Sequence, residues 1–178
     1  DNPDVTIEEL MTDIKGPDFP TGAMILGREG IKEAYTTGKG KITVRGETEI
    51  EEMSNNRQRI IVKSLPYQVN KANLIIKIDE LIKEKRIEGI SEVRDESDRE
   101  ERVRIVIELK RDARPQVILN QLFKHTQMQD TFGAIMLALV DGQPKILTLK
   151  ECLEEYVKHR KNVILRRTKF ELDKAEAR

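Results

Sequence analysis

Within the first forty residues, the spacing of the hydrophobic positions changes from helical to extended and back to helical. Glu9 follows Thr6 by three residues, the spacing of a capping box, so we expect a short helix over residues 7 to 14. After the break GPDFP, the apolar run AMILG predicts a strand. The segment REGIKEAYTTGKG has helical spacing and predicts a second helix that closes at Gly38 or Gly40.

Between residues 41 and 65 the hydrophobic period changes to two. Ile42, Val44 and Ile50 point to one face of an extended chain, and charged residues point to the other. The sequence MSNN has the composition of a turn, and alternation resumes after it. The whole stretch therefore predicts a hairpin.

A turn centred near residues 54 to 56 sets the register of this hairpin. Glu51 would then lie beside Arg59, and Glu47 beside Lys63. Both pairs bring opposite charges together across the ladder. No such partner is in reach of three earlier bases, which are Lys39, Lys41 and Arg45.

From residue 57 to residue 126 the pattern is strand, helix, strand, strand, helix. Asn70 is the predicted N-cap of the first helix, KANLIIKIDELIKEKRI. GISEV and RVRIVIEL predict strands around the charged loop RDESDREE. PQVILNQLFKHT predicts a helix with Pro115 in its first turn. This order predicts a two-layer α+β arrangement.

The last fifty residues predict a hairpin and one long helix. Asp141 and Gly142 supply the turn of the hairpin AIMLALV-DGQP-KILTL. A helix then runs from Leu149 to the end, so the predicted fold is an α+β domain with hairpins followed by a long C-terminal α-helix. Four residues seven apart would form one seam of a helix pair: Tyr156, Val163, Phe170 and Ala177.

Composition narrows the class of protein. The chain has 178 residues, of which 36% are charged, and its net charge is zero. Residues 1 to 34 hold eight acids and three bases, whereas residues 156 to 178 hold eight bases and three acids. Such a gradient indicates either a polyanionic partner for one end or a solvated helix face. The single cysteine excludes an internal disulfide and suits a reducing compartment. A helical pattern that runs to the last residue predicts a piece of a larger polypeptide.

Most residues with reactive side chains have a simpler structural interpretation. Tyr67 lies between Pro66 and the cap Asn70, where a tyrosine ring packs over a corner more often than it acts as a nucleophile. TTGKGKI does not have the spacing of a phosphate loop. RDESDREE is typical of a solvated loop. Cys152 lies beside carboxylates, which raise the pKa of a thiol.

The remaining chemical signal is basic. GKGKITVR on a strand supplies Lys39, Lys41 and Arg45, and three of the four residues on that face are basic. The helix segment KHRKNVILRRTK supplies four further candidates for DNA contact, namely Arg160, Lys161, Arg166 and Arg167. From the residues alone, phosphate contact and ordinary solvated charge both remain open.

Four blocks carry a family resemblance that covers nearly the whole chain. They are GPDFPTGAMILGREGIKEAYTTGKGKI, RIIVKSLPYQVNKANLIIKI, KRIEGISEVRDESDR and ALVDGQPKILTLKECLEEYVKHRKNVILRRTKFEL. In this order they resemble the A subunit of DNA gyrase, a bacterial type IIA topoisomerase. The A subunit of topoisomerase IV is the alternative. For this chain taken by itself, a second alternative is a structural spacer that has no affinity for DNA.

The resemblance implies a tower domain over residues 1–148 and the first part of a coiled-coil arm over residues 149–178. The family's catalytic tyrosine follows an arginine, but Tyr35, Tyr67 and Tyr156 follow alanine, proline and glutamate. The resemblance therefore implies no catalytic residue and no metal site here. It implies backbone contacts to bent double-stranded DNA.

For the whole enzyme, the resemblance implies ATP-dependent supercoiling of DNA by double-strand passage. It implies ATP and magnesium on the partner protein of the complex, and no cofactor in this part. The implied partners are the gyrase B subunit and a second copy of the A subunit, in a cytoplasmic enzyme that uses no membrane.

Overall fold

A computed structural model describes residues 2–177, apart from the side chain of residue 55. The chain forms two compact units. The first unit is Asp1–Gly16, Glu29–Lys41 and Gly133–Arg178, and the second is Pro17–Arg28 and Ile42–Phe132. In the described part of the chain, no helix has the length and apolar character that crossing a membrane requires.

Five helices and nine strands follow one another along the described chain. The helices are α1 (Ile7–Asp13), α2 (Glu29–Thr37), α3 (Lys71–Lys83), α4 (Pro115–His125) and α5 (Leu149–Glu176). The strands are β1 (Met24–Leu26), β2 (Lys39–Arg45), β3 (Thr48–Met53), β4 (Arg57–Val62), β5 (Ile90–Asp95), β6 (Ile105–Leu109), β7 (Gln129–Ile135), β8 (Leu137–Val140) and β9 (Gln143–Ile146). The predicted α+β class with a long C-terminal helix is confirmed.

In the second unit, a four-stranded antiparallel sheet carries the main core. Its strand order is β3-β4-β6-β5, and α3 and α4 pack on it. Residues of β4 and β6 interleave with apolar positions of the two helices. The largest fully buried side chains of this core include Ile60, Leu74, Ile78, Leu81, Ile105, Ile107, Leu109, Leu122 and Met128. This sheet and its two helices therefore form the apolar core of the second unit.

The caps of α1 and α3 form where the sequence predicts them, and α5 has a cap that was not predicted. Thr6 and Glu9 make a reciprocal capping box at α1, and Thr148 does the same with Glu151 at α5. The Asn70 side chain accepts a hydrogen bond of 3.0 Å from the backbone N–H of Asn73 at the start of α3. These caps satisfy backbone donors that the first helical turn leaves free.

The predicted hairpin register is confirmed for β3 and β4. Glu51 lies opposite Arg59, and their side chains form an ion pair of 2.7 Å. The backbone N–H of Lys63 donates to the carbonyl of Glu47 at 2.8 Å, as that register requires. The Lys63 ammonium, however, pairs with the carboxylate of Glu49. The prediction for the side chain of Glu47 is therefore wrong, because the diagonal neighbour reaches the lysine instead.

Strand β2 does not belong to this hairpin, although its alternation predicted that it would. It lies between β1 and β7 in a separate three-stranded sheet. Its pairing with β1 sets Met24 opposite Arg45 and Leu26 opposite Thr43. Strand β7 was not predicted from the sequence. The alternation at residues 42 and 44 is real, but alternation alone does not identify the neighbouring strand.

The turn at Asp141 and Gly142 closes the β8–β9 hairpin as predicted. The two residues have φ angles of 50° and 78°. Both values lie in the left-handed region that a two-residue hairpin turn requires. An Asp-Gly pair adopts this conformation at low cost because glycine carries no Cβ.

Tyr67 occupies the predicted corner between β4 and α3. Its ring lies 6.0 Å from that of Phe19 and 6.1 Å from that of Phe132, measured between centroids. Phe19 and Phe132 meet edge to face at 5.1 Å. The next residue, Gln68, has a φ of 69°. The predicted packing role of Tyr67 is confirmed, and its ring is part of an aromatic cluster.

Candidate nucleic-acid interface

Lys39 and Lys41 lie on the exposed face of β2 because the residues between and after them are buried. Gly40 and Ile42 face inward, and both lysines are exposed. A Cβ at Gly40 would overlap the carbonyl oxygen of Gly30 and lie 2.6 Å from the backbone nitrogen of Ala34. The strand is therefore held against α2, and the two ammonium groups project from a fixed backbone.

The hydroxyl of Thr37 fixes the entry into this strand. It donates to the carbonyl of Lys39 at 2.7 Å and accepts from the N–H of the same residue at 3.2 Å. Among the described residues, neither Lys39 nor Lys41 forms an ion pair. Both ammonium groups are available to an anion.

Arg45 has a different environment from the two lysines. As predicted, it has no carboxylate partner in the described structure, but its guanidinium is engaged by neutral groups. Its Nε donates to Oε1 of Gln129 at 2.8 Å, and its Cζ lies 4.3 Å from the centroid of the Phe123 ring. A guanidinium held by an amide and an aromatic face has a packing role whether or not it meets a ligand.

The four basic candidates on α5 are exposed but do not share one face. Arg160 and Arg167 are seven residues apart and therefore lie on one side of the helix. Lys161 is rotated from Arg160 by about 100°, and Arg166 by about 120° in the other direction, at 3.6 residues per turn. Arg167 also lies 4.0 Å from Glu171. Of the four bases, only Arg160 and Arg167 therefore share one side of the helix.

A third basic cluster was not predicted from the sequence. In the second unit, a solvent-open concavity of about 680 Å³ lies between the end of α3, the start of β5 and the start of α4. We call it the α4 concavity. Its lining includes five bases, which are Lys85, Arg86, Lys110, Arg111 and Arg114, and two acids, Glu88 and Asp112.

The acidic loop that follows β5 is held by internal ion pairs. Burial alone would raise the pKa of Asp95, but hydrogen bonds from Ser97 and Lys71 outweigh it and lower that pKa. The pKa of Glu96 is lowered chiefly by the hydrogen bond from Arg94 and further by Arg104. Across residues 2–177, no three acidic, histidine or cysteine side chains are grouped so that they could hold a metal ion.

Cys152 lies half-buried in α5. Burial raises the pKa of its thiol, and the carboxylate of Glu151 raises it further. Because the thiolate is the reactive form, a raised pKa disfavours nucleophilic chemistry at this position. The direction that the sequence predicts is confirmed, with burial as the larger cause.

Comparison with known proteins identifies the family. The family model that describes the A subunit of DNA gyrase/topoisomerase IV matches residues 1–178. The chain is 59% identical to the DNA gyrase A subunit of Clostridium acetobutylicum over 178 residues, which are 100% of this chain and 21% of that protein. It is 61% identical to the DNA gyrase A subunit of Halalkalibacterium halodurans over 177 residues, which are 99% of this chain and 21% of that protein.

The chain belongs to the family of DNA gyrase and topoisomerase IV A subunits. It spans about a fifth of the length of the curated relatives that it matches. The DNA gyrase A subunit of Granulibacter bethesdensis, at 57% identity, is a further such relative. The predicted family is confirmed.

The three tyrosines of this gyrase-family chain have different environments. Tyr35 is buried in α2, and burial raises the pKa of its phenol. Tyr67 lies in the aromatic cluster with Phe19 and Phe132. Tyr156 is exposed on α5. None follows an arginine in the sequence.

Proposed function

We propose that this chain is the part of a gyrase A subunit that supports duplex DNA through contacts to the phosphate backbone. The observation that carries the proposal is the pair of exposed lysines on β2, held on a strand that packs against α2. Neighbouring side chains on one strand face are roughly 6.6–6.8 Å apart, a spacing that suits neighbouring phosphates. Such contacts position DNA without reading its sequence.

The wider proposal concerns the whole gyrase A protein. By its family, the chain is part of the breakage-reunion subunit of an ATP-dependent type II topoisomerase that works in the cytoplasm with the B subunit and a second copy of the A subunit. ATP and magnesium belong to the B subunit. The A subunit of topoisomerase IV is the second candidate, and the gyrase name of the relatives favours the first.

We also propose that residues 1–148 form a tower-like domain and that α5 begins a coiled-coil arm. Tyr156 and Phe170 on α5 are exposed, and Val163 between them is half-buried. Apolar residues seven apart on an exposed helix suit a partner helix along that seam. The bases Arg160 and Arg167 form a second candidate contact to phosphate.

Reversing the charge of both β2 lysines tests the DNA contact. In the full-length protein, K39E/K41E should weaken binding to a long duplex equally for unrelated sequences. The magnitude of the slope of log K against log salt should fall by about 0.9 for each lost phosphate contact. Fluorescence anisotropy across a salt series measures both quantities.

The variant R45Q, tested beside this pair, separates the third predicted base from the two lysines. A slope reduced by about 0.9 would make Arg45 a phosphate contact as well. If the salt slope is unchanged and the melting temperature is lower, Arg45 has only a packing role, with Phe123 and Gln129. If K39E/K41E leaves the slope unchanged, the lysines are ordinary solvated charges and the spacer alternative is favoured.

The chain by itself should neither cleave DNA nor relax supercoiled DNA, even with the B subunit, ATP and magnesium. The reason is that no tyrosine of the chain follows an arginine, and Tyr35 is also buried. Denaturing gels after incubation with labelled duplex detect a covalent adduct. An adduct mapped to Tyr35, Tyr67 or Tyr156 would contradict both this prediction and the proposed placement of the chain.

A further inference from the structure

The α4 concavity is built on ordered backbone in the second unit. The backbone N–H of Lys110 donates to the carbonyl of Gly89 at 2.8 Å, which joins the end of β6 to the start of β5. The N–H of Ala113 donates to the carbonyl of Lys110 at 3.1 Å and closes the turn into α4. The end of α3 is also closed, by a 2.9 Å hydrogen bond from the N–H of Arg86 to the carbonyl of Leu81. Two short basic runs, far apart in sequence, are thereby brought together.

The bases of the α4 concavity differ from most other bases of the second unit. Eight bases on the sheet, on α3 and in the loop after β5 form ion pairs: Arg57, Arg59, Lys63, Lys71, Lys77, Lys83, Arg94 and Arg104. No ion pair in the described structure involves the five bases of the concavity, nor its two acids. The concavity therefore has an excess of uncompensated positive charge.

The bases of the α4 concavity outnumber its acids by five to two, which leaves a positive net charge around the lining. They surround the start of α4, whose N-cap Arg114 makes no capping hydrogen bond through its side chain. The first turn of α4 contains no acidic residue. A helix N-terminus carries a partial positive charge, so bases placed there repel it and each other. An anion in the concavity would relieve both repulsions.

The lining also indicates the class of anion. Five bases spread around an open concavity suit an extended polyanion better than a single small one. Three of them are arginines, whose guanidinium groups bind phosphate in a bidentate manner. The lining contains no aromatic residue on which a nucleotide base could stack. The chemistry therefore favours the phosphate backbone of a duplex over single-stranded nucleic acid.

We propose that the α4 concavity is an additional contact site for the phosphate backbone of duplex DNA, formed by Lys85, Arg86, Lys110, Arg111 and Arg114. This inference rests on the proposed function, because its ligand is the same class of DNA. It adds a contact element that is independent of the lysines on β2 and the bases on α5.

Two double variants of the full-length protein test this site, K85E/R86E and K110E/R111E. Each should reduce the magnitude of the salt slope for a long duplex by about 0.9 for each lost contact, equally for unrelated sequences. The matched control is R99E/R102E, which makes the same change of charge at two exposed positions of the same unit that form no ion pair with a described residue. The control should leave the slope unchanged if local contacts, and not net charge, determine binding.

The outcomes distinguish this inference from the proposed function. If K39E/K41E weakens binding and both concavity variants bind like wild type, the proposed function stands and this inference is wrong. If the concavity variants reduce the slope and K39E/K41E does not, the concavity is a contact and the β2 proposal is wrong. If R99E/R102E lowers the salt slope as much as the concavity variants do, the change of net charge alone explains the result and the inference is wrong.

Two further measurements complete the test. If a glutamate variant melts at a lower temperature than wild type, the neutral pairs K85Q/R86Q and K110Q/R111Q replace it, with the same expected direction. Competition with polyglutamate examines an acidic polypeptide as the occupant. If the variants lose polyglutamate binding and keep wild-type DNA binding, the concavity binds acidic protein segments and the DNA assignment is overturned.

Discussion

Gly40→Ala is expected to lower the free energy of unfolding by about 1–3 kcal/mol, the usual cost of overpacking, and to fall at the upper end of that range. The added Cβ would overlap the carbonyl oxygen of Gly30 and approach the nitrogen of Ala34 to 2.6 Å. Both are backbone atoms of α2 or its first turn, so neither can move without displacing the helix. Urea unfolding of the variant and the wild type measures the difference.

Gly133→Ala is the matched control for this substitution. Gly133 also lies in a strand of the same three-stranded sheet, but a Cβ there meets nothing within 4 Å. Because glycine weakens a strand, the alanine should leave stability unchanged or raise it slightly. If both substitutions lower the free energy of unfolding equally, the loss at Gly40 comes from the strand itself and not from the contact with α2.

The contact between β2 and α2 also explains the two glycines of the pattern GKGK. Their position after a helical segment predicted that Gly38 or Gly40 closes the helix. Gly38 does follow α2 with a φ of 78°, a conformation that favours glycine. Gly40 is already inside β2, where close packing requires it. Helix termination and close approach both select glycine, so sequence alone cannot separate them.

Local features were predictable because their physics is local. The caps at Thr6 and Asn70 and the turn at Asp141 each depend on residues within four positions of one another. The register of β3 and β4 followed from one short turn and one charge pair. In each case the interacting groups are close in sequence, so few alternatives compete.

The features that sequence could not predict depend on residues far apart. Arg45 is held by Gln129, 84 positions away, and no periodicity links the two. Strand β7 was missed because its burial alternates weakly between half-buried and exposed positions. The α4 concavity joins KEKR to KRDAR through the pairing of β5 with β6. The sequence signal for this cluster would have been its two basic runs, because one precedes β5 and the other follows β6, and these two strands were predicted on either side of one loop.

Charge pairing also gives a criterion that the sequence lacks. The sequence has 32 basic and 32 acidic residues, and it does not show which bases are paired with acids. The structure separates bases that offset neighbouring carboxylates, such as Arg94 with Glu108 at 2.6 Å, from bases that have no such partner among the described residues. Exposed ion pairs contribute little to stability, but they occupy the cation. Bases that have no such partner and lie together, as in the α4 concavity, are therefore the better candidates for contact with an external polyanion.

Thr126→Val is the second substitution with a large expected effect. The buried hydroxyl of Thr126 donates to the carbonyl of Leu122 at 2.6 Å and accepts from the N–H of Met128 at 3.2 Å. Valine keeps the volume and suits the extended backbone at this position, with φ −134° and ψ 168°. It leaves the N–H of fully buried Met128 without that acceptor. An unsatisfied buried donor costs about 1–3 kcal/mol, so the unfolding midpoint should fall accordingly.

Thr126→Ser separates the hydrogen bond from packing at the same position. Serine keeps the hydroxyl and loses one methyl group, which costs about 0.8 kcal/mol when buried. If the hydroxyl is the main contribution, valine should destabilise more than serine although it retains more apolar surface. Hydrogen exchange at the amide of Met128 should accelerate in the valine variant beyond the change expected from global stability. If serine is the more destabilising residue, packing of the methyl group outweighs the cap, and the hydrogen bonds at the end of α4 contribute little.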